Sequence, residues 1–325
     1  MNQSLSVVIP NYNGKKLLEK NIPFLLNAIE TSNITSYEVI ISDDNSKDDS
    51  VSFIKKKYPD FKLIENNSNR GFSGNTNIGL KAASKELILI LNSDIQLSNS
   101  YFIPLLPYFN IPDTFGVMGR IIGIDSDEIQ VAAKFPVYNF GNIIPGKSYT
   151  STSSTSLYSL FLSGANALVS RTKLVEIGCF NENFNPYYYE DVELGLRAWR
   201  MGYKLYYEHN AICRHQTSAT ITKEPVKRVK IIAKRNKMML HYIHFNGFEL
   251  WYYMIKLVLK TVLRTLILDA KYVKSFYFFI CSVSQLNKSK ATFKALQKGK
   301  NIDLTINDII KVIKDSMRRL KIIQI

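Results

Sequence analysis

The chain has 325 residues, 46% hydrophobic and 21% charged, with 15 Gly and 10 Pro; this suggests two domains with ample length for a core, and excludes whole-chain disorder and collagen-like or Pro-rich low complexity. The net charge of +15 is confined, because residues 1–221 carry 20 Lys and Arg against 21 Asp and Glu whereas 222–325 carry 22 against 6, so an anionic partner, nucleic acid or a membrane surface, is expected at the last third alone. Three scattered cysteines, Cys179, Cys213 and Cys281, with no CxxC pair, argue against a disulfide framework or a structural zinc and for a reducing compartment.

The start, MNQSLSVVIPNYNG, has no basic segment leading into a long apolar run, so no signal peptide is expected. Compact apolar runs at Ser6–Pro10, Glu38–Ser42 and Glu86–Leu91 read as strands, and Lys15–Thr31, Ser50–Tyr58 and Ser73–Ser84 between them as helices. That alternation predicts a mainly parallel α/β sheet with crossover helices. Ligands in such sheets sit beyond the carboxyl ends of the strands, which singles out Asn11–Asn13, Asp43–Asn45 and Asn92–Asp94. The Ser/Thr-rich segment 147–159 reads as a long surface loop, either a binding loop or a plain insertion.

From Thr222 the pattern is helical, with a first helix opening at Pro225 and ending near His244 or Gly247. In Trp251–Ile280, Lys256, Lys260, Arg264, Lys271 and Lys274 fall in one sector of roughly 80° at the helical period. The remainder is largely aliphatic and aromatic, and the charges recur too often for a membrane span. A helix lying in the membrane interface fits this pattern; a helix packed on the first domain is the alternative.

Four clusters carry chemistry. Asp43 and Asp44 follow a strand, where an acid either caps the next helix or hydrogen-bonds a sugar or base. Asp94, in Asn92-Ser93-Asp94, ends the most hydrophobic strand, where a carboxylate can take a hard cation. Glu190 and Asp191 open an amphipathic helix; acids there suit the helix dipole, and one facing a cleft can also act as a base. His215 follows the apolar stretch Tyr203–Cys213 and gains interest only as a partner to Asp94, since imidazole suits Mn²⁺ better than Mg²⁺.

Together the pieces VVIPNYNG, ISDDNSKDDS, NRGFSGNTNIG, LILNSDI, FLSGANALVSR, EIGCFNENFNPYYYEDVELGLRAWRMGYKLYY and RHQTSAT resemble the nucleotide-sugar glycosyltransferases of family 2, in a rhamnosyltransferase-like branch, from Val7 to about Thr220. The resemblance implies a GT-A fold over 1–221, a Rossmann-like sheet flanked by helices, with 222–325 a basic, amphipathic, membrane-associating helical region. It places Pro10, Tyr12, Asp43, Asp44, Asn69, Gly71, Asn77, Asn92 and Ser93 around the nucleotide sugar. Asp43 would accept the imide N–H of uracil or thymine. Asp94 and His215 would hold Mn²⁺ or Mg²⁺, Asp191 would be the catalytic base, and Gly164, Glu190 and Trp199 would serve the acceptor side or support it.

What the resemblance implies is an inverting, metal-dependent transfer from a UDP- or dTDP-sugar to a lipid-linked saccharide, for a surface polysaccharide such as O-antigen. The enzyme would sit peripherally on the cytoplasmic face of the membrane, meeting anionic lipid through 251–280. No nucleic acid is expected as partner, because the basic stripe lies on an apolar, aromatic-ended helix; a basic nucleic-acid-binding protein and a catalytically dead scaffold are the alternatives.

Overall fold

The computed structural model describes residues 3–139, 142–144, 146–151, 157–216, 225–318 and 320–325. The first half follows the expected alternation: β1 (Gln3–Asn11), α1 (Lys15–Glu30), β2 (Ile34–Asp43), α2 (Ser50–Lys57), β3 (Lys62–Glu65), α3 (Gly71–Ala82) and β4 (Leu87–Leu91). Then come β5 (Ile95–Leu97), β6 (Thr114–Gly123), β7 (Ile129–Val131), β8 (Ala133–Lys134), β9 (Val137–Asn139), β10 (Asn142–Ile144), β11 (Ser148–Ser151), β12 (Leu157–Tyr158) and β13 (Asn166–Ser170). These lead into α4 (Arg171–Glu176), α5 (Glu190–Arg200) and β14 (Lys204–His215). The last third holds α6 (Val226–His244), α7 (Gly247–Leu266), α8 (Ala270–Gly299), α9 (Ile306–Met317) and β15 (Ile322–Gln324).

The main sheet has the order β12-β14-β6-β13-β4-β1-β2-β3, with β5 on β14 and β7 on β6. β3, β2, β1 and β4 are parallel, as the crossover helices require. β13 runs against both β4 and β6, which puts an antiparallel strand into a sheet otherwise parallel from β6 and β14 to β3. The reason is topological: between β6 and β13 lie only short strands, and an antiparallel partner needs no helical crossover.

Period-two alternation sends the residues of β4 to opposite cores. Leu87, Leu89 and Leu91 pack with Leu18, Ile22 and Leu25 of α1, whose spacing lines one helical face. Ile88 and Ile90 face the other core, which holds Leu196 and Trp199 of α5 and continues into Met239, Phe279 and Ile313 of the last third. Residues on both sides of the 221/222 boundary thus share one core. α3 comes so close to β1 that a Cβ on Gly79 would lie 2.5 Å from Val8 Cγ1, which only glycine tolerates.

Two expectations for irregular or continuous segments are corrected. The segment 147–159 is not simply a loop: it contains β11 and β12, and residues 152–156 lie outside the described residues. β11 is paired on one side with β8 and on the other with β15, at the far end of the chain, so no local signal announces it. The segment Trp251–Ile280 is not one helix. It breaks after α7, Leu268 takes φ 58°, and Asp269 Oδ1 accepts from the Tyr272 amide at 3.1 Å to start α8. That cap overrides the helical period, so Lys256, Lys260 and Arg264 lie on α7 while Lys271 and Lys274 lie on α8. Among the described residues no helix is long and apolar enough to cross a membrane.

Candidate active site

Parallel pairing puts Asn11 beside Asp43 at the carboxyl ends of β1 and β2. Asn11 Nδ2 donates to Asp43 Oδ2 at 2.8 Å, and the Ser46 hydroxyl donates to the same oxygen at 2.6 Å. Asp43 Oδ1 accepts from the Ser46 amide at 2.8 Å, which leaves that oxygen capacity for one further donor. Pro10 is half-buried beside them and the Tyr12 ring is exposed at the mouth. Asn11 Oδ1 is buried without a partner, an open acceptor at the strand ends.

Asp94 lies just past β4, after Asn92 and Ser93. The Asn92 amide donates to Ala165 O at 3.0 Å, Asn21 Nδ2 donates to Ser93 O at 2.7 Å, and the Gln216 amide donates to Asp94 O at 3.1 Å. These bonds tie the turn to the loop before β13, to α1 and to the end of β14, and His215 at the end of that strand brings Nε2 to 3.3 Å from Asp94 Oδ2. The other imidazole nitrogen, Nδ1, lies 2.8 Å from Gln130 Oε1. An amide oxygen only accepts, so Nδ1 carries the proton, and in the neutral ring Nε2 presents its lone pair to the carboxylate.

A neutral imidazole lone pair beside a carboxylate oxygen is an arrangement that a shared cation suits. Asp94 Oδ1 is moreover buried with no hydrogen-bond partner. Donors of an octahedral ion at 2.1–2.2 Å stand about 3.0 Å apart, close to the spacing seen. The pair therefore fits a divalent metal. Among the described residues no group of three or more His, Cys, Asp or Glu side chains gathers.

Asp191 stands in the first turn of α5, and its Oδ1 accepts from the Val192 amide at 2.8 Å. It lines a small cavity with Gly164, Leu162, Leu194 and Gly195. Gly164 adjoins Ala165, the acceptor for Asn92, so the Asp191 cavity and the Asp94 turn are joined through one short loop. Burial raises the pKa of Asp191, opposed by the Val192 amide and by the charge of Lys134. Glu190 is raised too, first by burial and then by the Asp191 charge, and its Oε2 has no partner. Two adjacent carboxyls with raised affinity for protons suit a site where one takes a proton from a substrate.

Other expected residues act on the chain itself. Both oxygens of Asp44 hold the entry to α3: Oδ1 accepts from the Arg70 amide at 2.7 Å and from Asn66 Nδ2 at 3.1 Å, and Oδ2 accepts from the Gly71 amide at 3.0 Å. Asn69 Oδ1 accepts from the same Gly71 amide at 3.2 Å. Gly71 has φ 71°, and a Cβ there would lie 3.0 Å from both Asn185 Oδ1 and Pro186 Cα. Asn77 faces Phe180 and Glu182, bonding the Phe180 carbonyl at 2.9 Å and its amide at 3.0 Å. Trp199 is core, its indole N–H donating to Ser159 O at 3.0 Å. Asp44 and Asn77 thus hold loops and Trp199 supports the sheet.

Sequence reasoning missed four groups. Gln130 lies in a stretch that carries no motif. Lys134 on β8 acts on Asp191 through space and donates to Ser148 Oγ at 2.7 Å. Arg197 forks onto Glu193 at 2.7 and 2.8 Å and also donates to Cys179 O at 2.6 Å, which fixes α5 to the loop after α4. Asn236 of α6, wholly buried, donates to Phe184 O at 2.7 Å, Tyr187 O at 2.9 Å and Tyr188 O at 2.8 Å. Tyr188 and Tyr189 both have positive φ, so Asn236 secures a strained turn just before Glu190 and Asp191. Its signal in the sequence is a lone amide on the helical face that carries Ile232, Met239 and Ile243. Of the RHQTSAT piece, residues 217–220 lie outside the described residues.

Comparison with known proteins matches residues 6–178 to the model of glycosyl transferase family 2. The GalNAc(5)-diNAcBac-PP-undecaprenol beta-1,3-glucosyltransferase of Campylobacter jejuni is 37% identical over 97 residues, 29% of this chain and 30% of its own. The O-antigen chain rhamnosyltransferase RfbN of Salmonella typhimurium is 27% identical over 224 residues, 68% of either chain. The match thus spans less than a third of the Campylobacter enzyme's length. Among solved structures, GalNAc-T7 with UDP, GalNAc and Mn²⁺ superposes with a TM-score of 0.64 at 14% identity, over 98% of this chain and 58% of that one; at that identity the likeness concerns the fold, which is of the GT-A type.

Proposed function

The chain belongs to glycosyl transferase family 2, and from that premise we propose that it moves a sugar from a UDP- or dTDP-linked donor to a hydroxyl of a lipid-linked saccharide, inverting the anomeric centre. The observation that carries this reading is the Asp94–His215 pair, with its orphaned carboxylate oxygen, at the carboxyl edge of the sheet. Those two side chains would hold Mn²⁺ or Mg²⁺, the imidazole favouring Mn²⁺. A bound divalent ion supplies Lewis-acid neutralisation of the leaving diphosphate.

The rest of the work falls to the chain. Asp43, kept in place by Asn11 and Ser46, would accept the imide N–H of the base, with Pro10 and Tyr12 against its faces and Asn92 and Ser93 at the ribose. Asn69 and Gly71 shape the loop alongside. Asp191 would take the proton of the acceptor hydroxyl as that oxygen bonds to C1 and the C1–O bond to the diphosphate breaks. Burial and the Asp191 charge favour the protonated form of Glu190, which would leave Asp191 as the charged acid of the two. The acceptor class is supported by the printed names of the Campylobacter and Salmonella relatives, and a place on the cytoplasmic membrane face by the basic, apolar-faced 222–325 segment. In this reading 1–221 binds donor and metal while 222–325 meets the lipid surface.

The test is Asp191→Asn against a panel of UDP- and dTDP-sugars with a lipid-linked acceptor. Transfer should fall about 10²–10⁴-fold while UDP or dTDP affinity is retained, and NMR of the wild-type product should show the anomer opposite to the donor's. Near-normal turnover in the variant would remove Asp191 from its role.

A further inference from the structure

Among the described residues nothing packs on the outward face of α7. Phe248, Trp251, Ile255, Leu259, Val262 and Leu266 recur at intervals of three and four and are all exposed, so they form one apolar stripe along the helix. The opposite face is buried: Tyr253 stacks on His241 with centroids 4.8 Å apart, and Leu257 joins the core. The stripe runs on into the turn to α8, where Leu266, Ile267 and Leu268 are 74%, 66% and 88% exposed. Exposed apolar patches of this extent mark interaction surfaces.

Charge says what covers it. Residues 247–299 contain nine Lys and Arg and only two acids, Glu249 and Asp269. Asp269, the acid beside the turn, faces Arg264 at 3.3 Å and Lys234 at 3.8 Å, so the tip presents no uncompensated negative charge. Lys256, Lys260 and Arg264 form a row that turns from beside Tyr252 to the side of α7 facing α8, their cationic heads over the rings of Tyr252 and Tyr272 at 5.5–5.8 Å. A second copy of the chain meeting this face would oppose lysine to lysine. An anionic bilayer would receive the stripe in its acyl boundary and the lysines among its phosphates.

We propose that α7 and the Leu266–Leu268 turn form a monotopic wedge, with the turn as its leading edge, that seats the protein on anionic lipid. This rests on the peripheral-membrane reading above and replaces its flat continuous helix with a hairpin whose tip enters first. Because α6 lies between the wedge and the loop that Asn236 holds, docking also sets how the Asp191 cavity faces the membrane.

The experiment is flotation of the full chain with phosphatidylcholine vesicles, with and without phosphatidylglycerol, read beside Trp fluorescence quenching by brominated acyl chains. The chain has two Trp, and Trp199 is buried, so quenching reports Trp251. Wild type should float with the anionic vesicles and be quenched. The double variant Ile267→Glu, Leu268→Glu should lose binding about tenfold or more, with melting temperature and UDP affinity unchanged, and Lys256→Glu, Lys260→Glu should lose the preference for phosphatidylglycerol. Undiminished flotation of the turn variant would overturn the wedge and leave the membrane reading standing. Failure of wild type to float on either vesicle would overturn both. A wild-type dimer in solution that the turn variant dissociates would assign the face to a second copy and overturn the wedge.

Discussion

His215 Nε2 lies 3.3 Å from Asp94 Oδ2, although one ends β14 and the other follows β4, far apart in the chain. The contact depends on a hydrogen bond on the other side of the ring, where Gln130 Oε1 stands 2.8 Å from Nδ1. Gln130 fixes the tautomer that turns a lone pair towards Asp94. Gln130→Leu should therefore weaken Mn²⁺ binding about tenfold, measured by calorimetric or paramagnetic-resonance titration without substrate. Gln130→Glu, which keeps an acceptor, should retain it. Equal Mn²⁺ affinity in the Leu variant would make Gln130 a bystander.

Asp191 must be ionised to take a proton, so activity should rise with pH through its pKa, which burial lifts above the ordinary carboxylate range. Lys134 opposes that lift, because its positive charge favours the carboxylate. Removing the charge with Lys134→Met should move the acid limb of the kcat/KM profile to higher pH, by up to about one unit. A shift to lower pH, or none, would separate Lys134 from Asp191.

Asn236 reaches from the last third of the chain to three carbonyls of the turn before Glu190. Asn236→Leu leaves those carbonyls without their donor, at a cost of about 1–3 kcal/mol. The positioning role has its own signature: kcat should fall about tenfold or more while the KM for the donor changes little. A variant that lost stability but kept kcat would show Asn236 to be structural only.

His241 is held neutral in the core, its Nδ1 2.6 Å from Lys237 O and its Nε2 accepting from the Ile143 amide at 2.8 Å. Burial lowers its pKa to about 4, below that of the unfolded chain. The unfolded state therefore binds the proton first, and stability falls as pH drops from about 6.5 towards 4, by about 2 kcal/mol between pH 7 and 5. His244 is shifted in the same direction. Denaturant titrations at both pH values should show a smaller loss in His241→Gln than in wild type. Equal losses would place the acid sensitivity elsewhere.

The three helices and the strands β1, β2 and β4 were legible because their periodicity is local: α1 and α2 start at the expected residues and end within one residue of expectation, and α3 starts two residues early, while the four-residue edge strand β3 gave no signal. Asp94 and His215 were legible as types in a known pattern, and their meeting needed the sheet order. Gln130 and Lys134 were not legible, since they lie on strands of three and two residues, too short for a period to show. The break at Asp269 escaped because a helical period continues in the residues on either side while the cap ends it. Asp44 and Asn77 were legible as residue types, while the backbone groups that they bond became visible only in the folded chain.

The central claim is that Asp94 and His215 present a divalent ion to a nucleoside diphosphate. Calorimetric titration of UDP and of dTDP into wild type and Asp94→Asn, each with Mn²⁺ and with chelator, tests it most directly. Wild type should bind at least one of the two nucleotides with Mn²⁺ and far more weakly in chelator, and Asp94→Asn should lose the difference. Binding equally tight in chelator, or a metal effect that survives Asp94→Asn, would contradict it.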